Sequence, residues 1–317
     1  MPWITVLTQL FLPVLLLVWL ALFPAPGSLA LALQGLSVGL VLFGLSFAAL
    51  WALPPFWVPY LYGLVFLLIV IRQLMTIRSS THGLWQASVG SPVLIAVVAG
   101  LGVLGGYMGI AAIQGRVTPN SDVVDIAPPF AAGHFLVAHG GSTEMANVHL
   151  RTLDESEERF RPWRGQSRGL DIFRITPWGW HMSGWWPADP AQYTTFGTPV
   201  VAPCSGRVAK VVDRFEDMTV PEMDGDNKAG NYIAVDCGDF VVILAHLRQG
   251  KMAVAEGDQL RVGDTLGEAG NSGNSSEPHL HIHAQRGLPA GSPLGGEPLW
   301  LTIDGQFLAR NERLHVP

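Results

Sequence analysis

The first 112 residues of this 317-residue chain contain no aspartate or glutamate, and only two charged residues, Arg72 and Arg78, precede Gly115. All 25 acids and all but two of the 19 basic residues fall in the remainder, which is therefore acidic. A surface of that sign argues against nucleic-acid binding, which needs positive charge against phosphates. Cysteine is also scarce. Cys204 and Cys237 are the only two, and neither stands in a C-x-x-C arrangement, which argues against a cysteine zinc site. The pair is either a disulfide, which an extracytoplasmic location permits, or two buried free thiols in neighbouring strands.

The first part has apolar length in place of charge. A helix crossing a bilayer core takes about 20 apolar residues. Four stretches qualify: Trp3 to Phe23, Ser28 to Leu53, Phe56 to Leu74, and Pro92 to Ile113. Breaks fall at Pro24-Ala25-Pro26-Gly27, at Pro54-Pro55, and between Arg72 and Ser91. None of the four has the polar face that a soluble helical core requires. No acid or lysine lies within them, which argues against an ion or proton pathway. The first stretch lacks a basic leader and runs at once into another apolar segment, so it is expected to be retained rather than cleaved as a signal peptide. Gly102, Gly105, Gly106 and Gly109 form two overlapping G-x-x-x-G spacings, which suit close helix packing within a bundle. Arg72 and Arg78, with His82, place the loop between the third and fourth spans in the cytoplasm by the positive-inside rule. The expected protein is a multi-pass cytoplasmic (inner) membrane protein with its C-terminal domain on the periplasmic, extracytoplasmic side.

The expected organisation is a four-helix transmembrane region at 1–113, a polar linker at 114–124 and a second domain at 125–317. In that second part, strand-like runs recur at His134 to His139, Leu170 to Arg174, Pro199 to Val201, Arg207 to Val212, Tyr232 to Val235, Phe240 to Ala245, Gln259 to Val262 and His279 to Ala284. Turns rich in Gly, Asp and Asn separate many of them, and no long amphipathic helical pattern appears. An all-β antiparallel domain is expected. Glu155 to Arg168 reads as an exposed, charged loop. Trp178, Trp180, Trp185 and Trp186 fall in an aromatic loop that suits a ligand wall, a membrane-surface contact or simple self-packing.

Chemistry is concentrated at Pro278-His279-Leu280-His281-Ile282-His283, preceded by the glycine- and serine-rich Gly270 to Ser276. Histidines at alternating positions of a strand face one side. Imidazole both binds zinc and moves protons near neutral pH. A separate Ala245-His246-Leu247, and Asp171 within an apolar strand, complete a candidate metal site.

From about Asp125 to Gln285 the chain resembles the lysostaphin-like (LytM-domain) zinc metallopeptidases. The resemblance rests on Phe196-Gly197-Thr198-Pro199 through Gly206, Gly230-Asn231-Tyr232, Leu244-Ala245-His246-Leu247, Val262-Gly263-Asp264, and Gly270-Asn271-Ser272-Gly273 through His281. It implies Zn2+ as cofactor, Asp171 and His281 as metal ligands, and His246 and His279 as the catalytic pair. His283 stands where many members carry an acid, which leaves its role open. Ser167 replaces the histidine expected four residues before Asp171. The stretch from Gln166 to Asp171 instead resembles a subgroup with Q-x-x-x-x-D, which carries an upstream G-G and N-x-H, here Gly140-Gly141 and Asn147-Val148-His149. That match makes His149 the third ligand. His181 is the rival donor, with His134 and His139 behind it.

Two histidines and one aspartate leave a zinc position for water, a hydrolytic arrangement. The resemblance therefore implies a membrane-anchored zinc metalloendopeptidase that cleaves peptidoglycan stem peptides or cross-links. Its partners are cell wall or peptide and the lipid bilayer. The alternative is a degenerate LytM-like domain that binds wall or regulates other hydrolases without cutting. Transport or sensing by the four spans is a third reading. In the expected site, side chains from four separated strands converge on one cation.

Overall fold

The computed structural model describes residues 2–25, 28–79 and 92–317. Two compact units divide the chain, Met1–Ile113 and Gln114–Pro317.

In the first unit, α1 (Pro2–Val6) runs through a π-helical stretch, Leu7–Phe11, into α2 (Leu12–Leu22). Then come α3 (Ser28–Ala48), α4 (Val58–Ser79) and α5 (Pro92–Gln114). Among the described residues, four helical segments are long and apolar enough to cross a membrane: Trp3–Leu22, Leu29–Ala48, Val58–Thr76 and Ala96–Gln114. The few polar side chains are tied internally. Gln9 donates to Leu50 O at 2.9 Å, Tyr62 donates to Gln9 O at 2.9 Å, and Gln73 donates to Leu20 O. The glycine stripe of α5 packs against α3. A Cβ at Gly105 would meet Val41 Cα at 2.7 Å, and one at Gly102 would meet Ser37 Cα at 2.9 Å. Only glycine allows backbones that close. The basic loop with His82, on which the orientation rests, lies largely outside the described residues; Arg72 and Arg78 fall on α4.

The second unit is built on a sheet ordered β12-β2-β3-β10-β7-β6-β5-β8, with β11 also paired to β10. Its strands are β1 (Val123–Ile126), β2 (Gly133–His139), β3 (Leu170–Ile175), β5 (Gly206–Val212), β6 (Asn231–Asp236), β7 (Val241–Leu247), β8 (Gln259–Leu260), β10 (Leu280–Arg286), β11 (Glu297–Ile303) and β12 (Arg313–Val316). β4 (Pro199–Val201) and β9 (Thr265–Glu268) make a separate pair. All pairings are antiparallel except that of β1 with β11. β7 and β10 are buried along nearly their whole length, so their apolar runs are almost continuous. One face packs Ile172, Leu244, Leu280, Ile282 and Ala284 into the main core. The other face carries Ala234, Val241, Ile243 and Ala245 in a smaller cluster.

All eight strands read from sequence are present. β1, β9, β11 and β12 are additional. β1 and β11 lie more than 170 residues apart, so no local pattern announces their pairing. The polar stretch read as a linker contains the first two residues of β1. The exposed loop expected at Glu155 to Arg168 is corrected: Glu158–Arg168 forms 3-10 turns, with Gly165 and Ser167 buried. Trp163 packs beside the smaller cluster, and that tertiary contact holds the segment in place.

Cys204 and Cys237 are bonded, with Cα atoms 5.9 Å apart. They stand at the ends of β5 and β6, whose pairing begins at Arg207 and Asp236.

Candidate metal and catalytic site

Sheet register assembles the site. Asp171 on β3 lies directly opposite His281 on β10, which lies opposite Ala245 on β7. On the other side, His139 on β2 lies opposite Asp171, next to a bulge after Val137. Opposed residues of an antiparallel pair share a face. Alternation therefore puts Leu280 and Ile282 into the main core and leaves His281 and His283 on the opposite face with Asp171.

His149 arrives differently. It sits on a 3-10 turn, Val148–Leu153, so three strand segments and one turn converge rather than four strands. Asn147, fully buried, anchors that turn. Its Oδ1 accepts from the His149 N–H at 3.1 Å, and its Nδ2 donates to Gly169 O at 3.0 Å. The same side chain thus ties the turn to the chain entering β3. Gly141, with φ of +94°, turns the chain ahead of it, where a Cβ would strike Gly115 O at 2.6 Å.

His149 Nε2 lies 2.9 Å from Asp171 Oδ2, and His281 Nδ1 lies 2.8 Å from Asp171 Oδ1. Donor atoms of these three residues all fall within 4.8 Å of one another. Burial raises the Asp171 pKa. The neighbouring His149 and His279 imidazoles outweigh it and hold the carboxyl well below its ordinary value. The set is therefore one carboxylate and two imidazoles, the hard and borderline donors that suit zinc.

His246 and His279 lie beside this set. Strict alternation after Ala245 would turn His246 to the other face. Its φ of +60° breaks the alternation. Its ring centre lies 4.7 Å from that of His279 and 5.9 Å from that of His281. His246 Nδ1 is 2.9 Å from Ser272 O. A carbonyl only accepts, so Nδ1 carries the proton and the neutral ring has a bare Nε2. Burial, reinforced by His279 and His281, pushes the His246 pKa well below its ordinary value, which keeps the ring neutral. The His279 ring is oriented in a similar way: its Nδ1 donates to Glu277 O at 2.8 Å, and its Nε2 lies 3.5 Å from Asp171 Oδ1. The side chain of His281 is 2% exposed and that of His149 is 17% exposed, so the site opens on the His149 side.

The other candidate donors are elsewhere. His181 Nε2 contacts Glu277 Oε2 at 3.1 Å, and its ring stacks on Phe173. His134 stacks on His315 at the opposite end of β2. His139 lies in the site row, but its Nδ1 accepts from Arg310 at 2.9 Å. Ser167 is buried, in the turn before β3. Arg310 carries no motif that would single it out, and Ser272 and Glu277 lie within the Gly270 to His281 stretch without being singled out for a role. Arg310 acts from a loop far along the chain, and the other two act through backbone carbonyls.

A groove of about 810 Å³ lies along the sheet between Trp163, Lys228, Tyr232 and the 288–294 loop. Ala229 lines it and also accepts the His246 backbone N–H at 3.0 Å.

Residues 192–293 match the peptidase family M23. This segment is an M23 peptidase domain. It contains His246, His279, His281 and the loop at Gly270 to Ser276, whereas His149 and Asp171 precede it. Among solved structures, the chain is similar to a zinc-containing peptidase from Vibrio cholerae, at 26% identity over 29% of this chain and 24% of that one, with a TM-score of 0.23. It is also similar to the catalytic domain of lysostaphin from Staphylococcus simulans, at 24% identity over 39% and 71% of the two chains, with a TM-score of 0.26. A third is a putative M23 peptidase from Pseudomonas aeruginosa, at 18% identity over 57% and 53%, with a TM-score of 0.28. The chain thus spans about a quarter of the first of these structures. Comparison with curated proteins finds no match.

Proposed function

We propose that the chain is a membrane-anchored, zinc-dependent metalloendopeptidase acting on peptide bonds of peptidoglycan stem peptides or cross-links. The observation that carries the reading is the Asp171 carboxylate bracketed by His149 Nε2 and His281 Nδ1, at 2.9 and 2.8 Å. Those three residues hold the metal. When bound by these residues, a zinc ion would supply Lewis acidity toward the scissile carbonyl and would bring the pKa of a bound water toward about 7. His246 and His279 perform the proton work. Each has its Nδ1 proton committed to a backbone carbonyl, leaving Nε2 to take a proton from the attacking water or, once protonated, to donate to the developing oxyanion.

The four apolar helices anchor the protein in the cytoplasmic membrane, with the M23 domain on the periplasmic, extracytoplasmic side. The Arg72–Arg78 asymmetry supports that orientation. The bond between Cys204 and Cys237 fits an oxidising compartment.

The test is digestion of purified sacculi by the full chain in detergent, with products identified by mass spectrometry. New amino termini that vanish with chelator and return with zinc are expected. A zinc-loaded protein that releases none would overturn the proposal.

A further inference from the structure

β10 places His281, His283 and Gln285 in a row on the face that holds Asp171, and none of the three is more than 2% exposed. Polar groups at that depth need partners. Gln285 Nε2 donates to Gly287 O at 2.7 Å and Pro293 O at 2.9 Å. Those carbonyls only accept, so the amide orientation is set and Oε1 is left as an acceptor. The Gly296 N–H donates to that oxygen at 3.3 Å, in agreement.

The next contacts follow in sequence. His283 Nε2 lies 3.2 Å from Gln285 Oε1, so it carries the proton. Among the described residues no carboxylate is a partner of His283, and a buried imidazolium with no counter-ion is costly, so its Nδ1 is bare. That bare Nδ1 lies 3.0 Å from His281 Nε2, which must be the donor. His281 then presents a bare Nδ1, and this is the atom 2.8 Å from Asp171 Oδ1. As a neutral ring, His281 offers that lone pair to a cation shared with the Asp171 carboxylate.

The surroundings make room for this line of contacts. A Cβ at Gly165 would collide with Gln285 Oε1, one at Gly296 would meet Gln285 Cδ at 2.6 Å, and one at Gly169 would meet His281 Cε1 at 2.8 Å.

We propose that His283 and Gln285 are positioning residues that lock His281 in the Nε2–H tautomer, so that its Nδ1 lone pair points at the metal. The inference rests on the metal reading above. It gives His283 a part as a neutral acceptor, at the place where resemblance suggested an acid. Partners of this kind typically change metal affinity by about 10–100-fold when removed.

The experiment measures zinc affinity of the full chain in detergent by chelator competition, for wild type, His283→Leu and His283→Gln. Leucine removes the acceptor and should weaken binding about 10–100-fold. Glutamine can accept from His281 and donate to Gln285, and should restore affinity to within about threefold of wild type. Wild type that takes up no zinc sinks the metal reading and this inference with it. Wild type that binds zinc while His283→Leu binds equally well overturns the relay alone. If His283→Leu fails to fold, 15N-histidine NMR of the zinc-loaded wild type decides. A proton on His281 Nε2 is expected, and a bare Nε2 overturns the proposal.

Discussion

Asp171 and His281 stand 110 residues apart in sequence and directly opposite each other on β3 and β10, with Oδ1 and Nδ1 separated by 2.8 Å. Sheet register alone brings them together. A one-residue slip of either strand would send one of the pair into the apolar core.

Removing either side chain should therefore cost the metal. His281→Ala is expected to lose stoichiometric zinc, measured by elemental analysis after purification without chelator. Retention of zinc at wild-type level would remove His281 from the ligand set.

The third ligand is separable by a pair of variants. His149→Ala should lose zinc, whereas His181→Ala should keep it, because the His181 ring is turned to Glu277 and Phe173. The reverse pattern would reassign the donor.

His246→Ala should keep zinc and lose turnover on sacculi by about 10²–10⁴-fold, the usual contribution of a positioned acid or base. Unchanged kcat would exclude it from proton transfer. Ser272 holds His246 through its backbone carbonyl, so the side-chain substitution Ser272→Ala should act indirectly. It would act through the Asn231 N–H and Leu247 O contacts of Ser272 Oγ.

Stability should depend on pH through His139. Burial is the main cause that lowers its pKa to about 3; Asp171 opposes the shift and Arg310 adds to it. Below about pH 6.5 the unfolded chain binds a proton at this position and the native chain does not. Stability from this group is thus unaffected above 6.5 and falls with decreasing pH, by about 1.4 kcal/mol per unit, until about pH 3. Moving from pH 7 to pH 5 should cost wild type about 2 kcal/mol more than His139→Gln, in urea unfolding of the full chain. Equal losses in the two proteins would show that His139 is not the group responsible.

The disulfide closes a loop with a sequence separation of 33. On a chain-entropy basis, Cys204→Ser/Cys237→Ser should lower stability by about 3–4 kcal/mol. Urea unfolding checks it, with reduced wild type expected to match the double variant.

Much of the site was legible in the chain because its chemistry is local. His279, His281 and His283 alternate within one strand, and alternation alone predicts a shared face. The position of His246 on β7 was legible from its apolar flanks, but its positive φ was not, because strand periodicity sends that side chain the other way. His149 was nominated by a short pattern. What makes it a neighbour of Asp171 is Asn147 reaching to Gly169, a contact that no spacing announces.

By itself the sequence determined which segments are apolar enough to be four long helices, where eight strands lie, and which residue types are available to bind a metal. These are properties of composition and short-range period, and they need no knowledge of neighbours. Only the tertiary structure decided that His149 rather than His181 meets Asp171, that Cys204 and Cys237 are bonded, and that Gln285 stands behind His283. Each of those depends on the pairing of chain segments distant in sequence, set by register and by buried polar groups finding partners, and that information is not carried by any single segment.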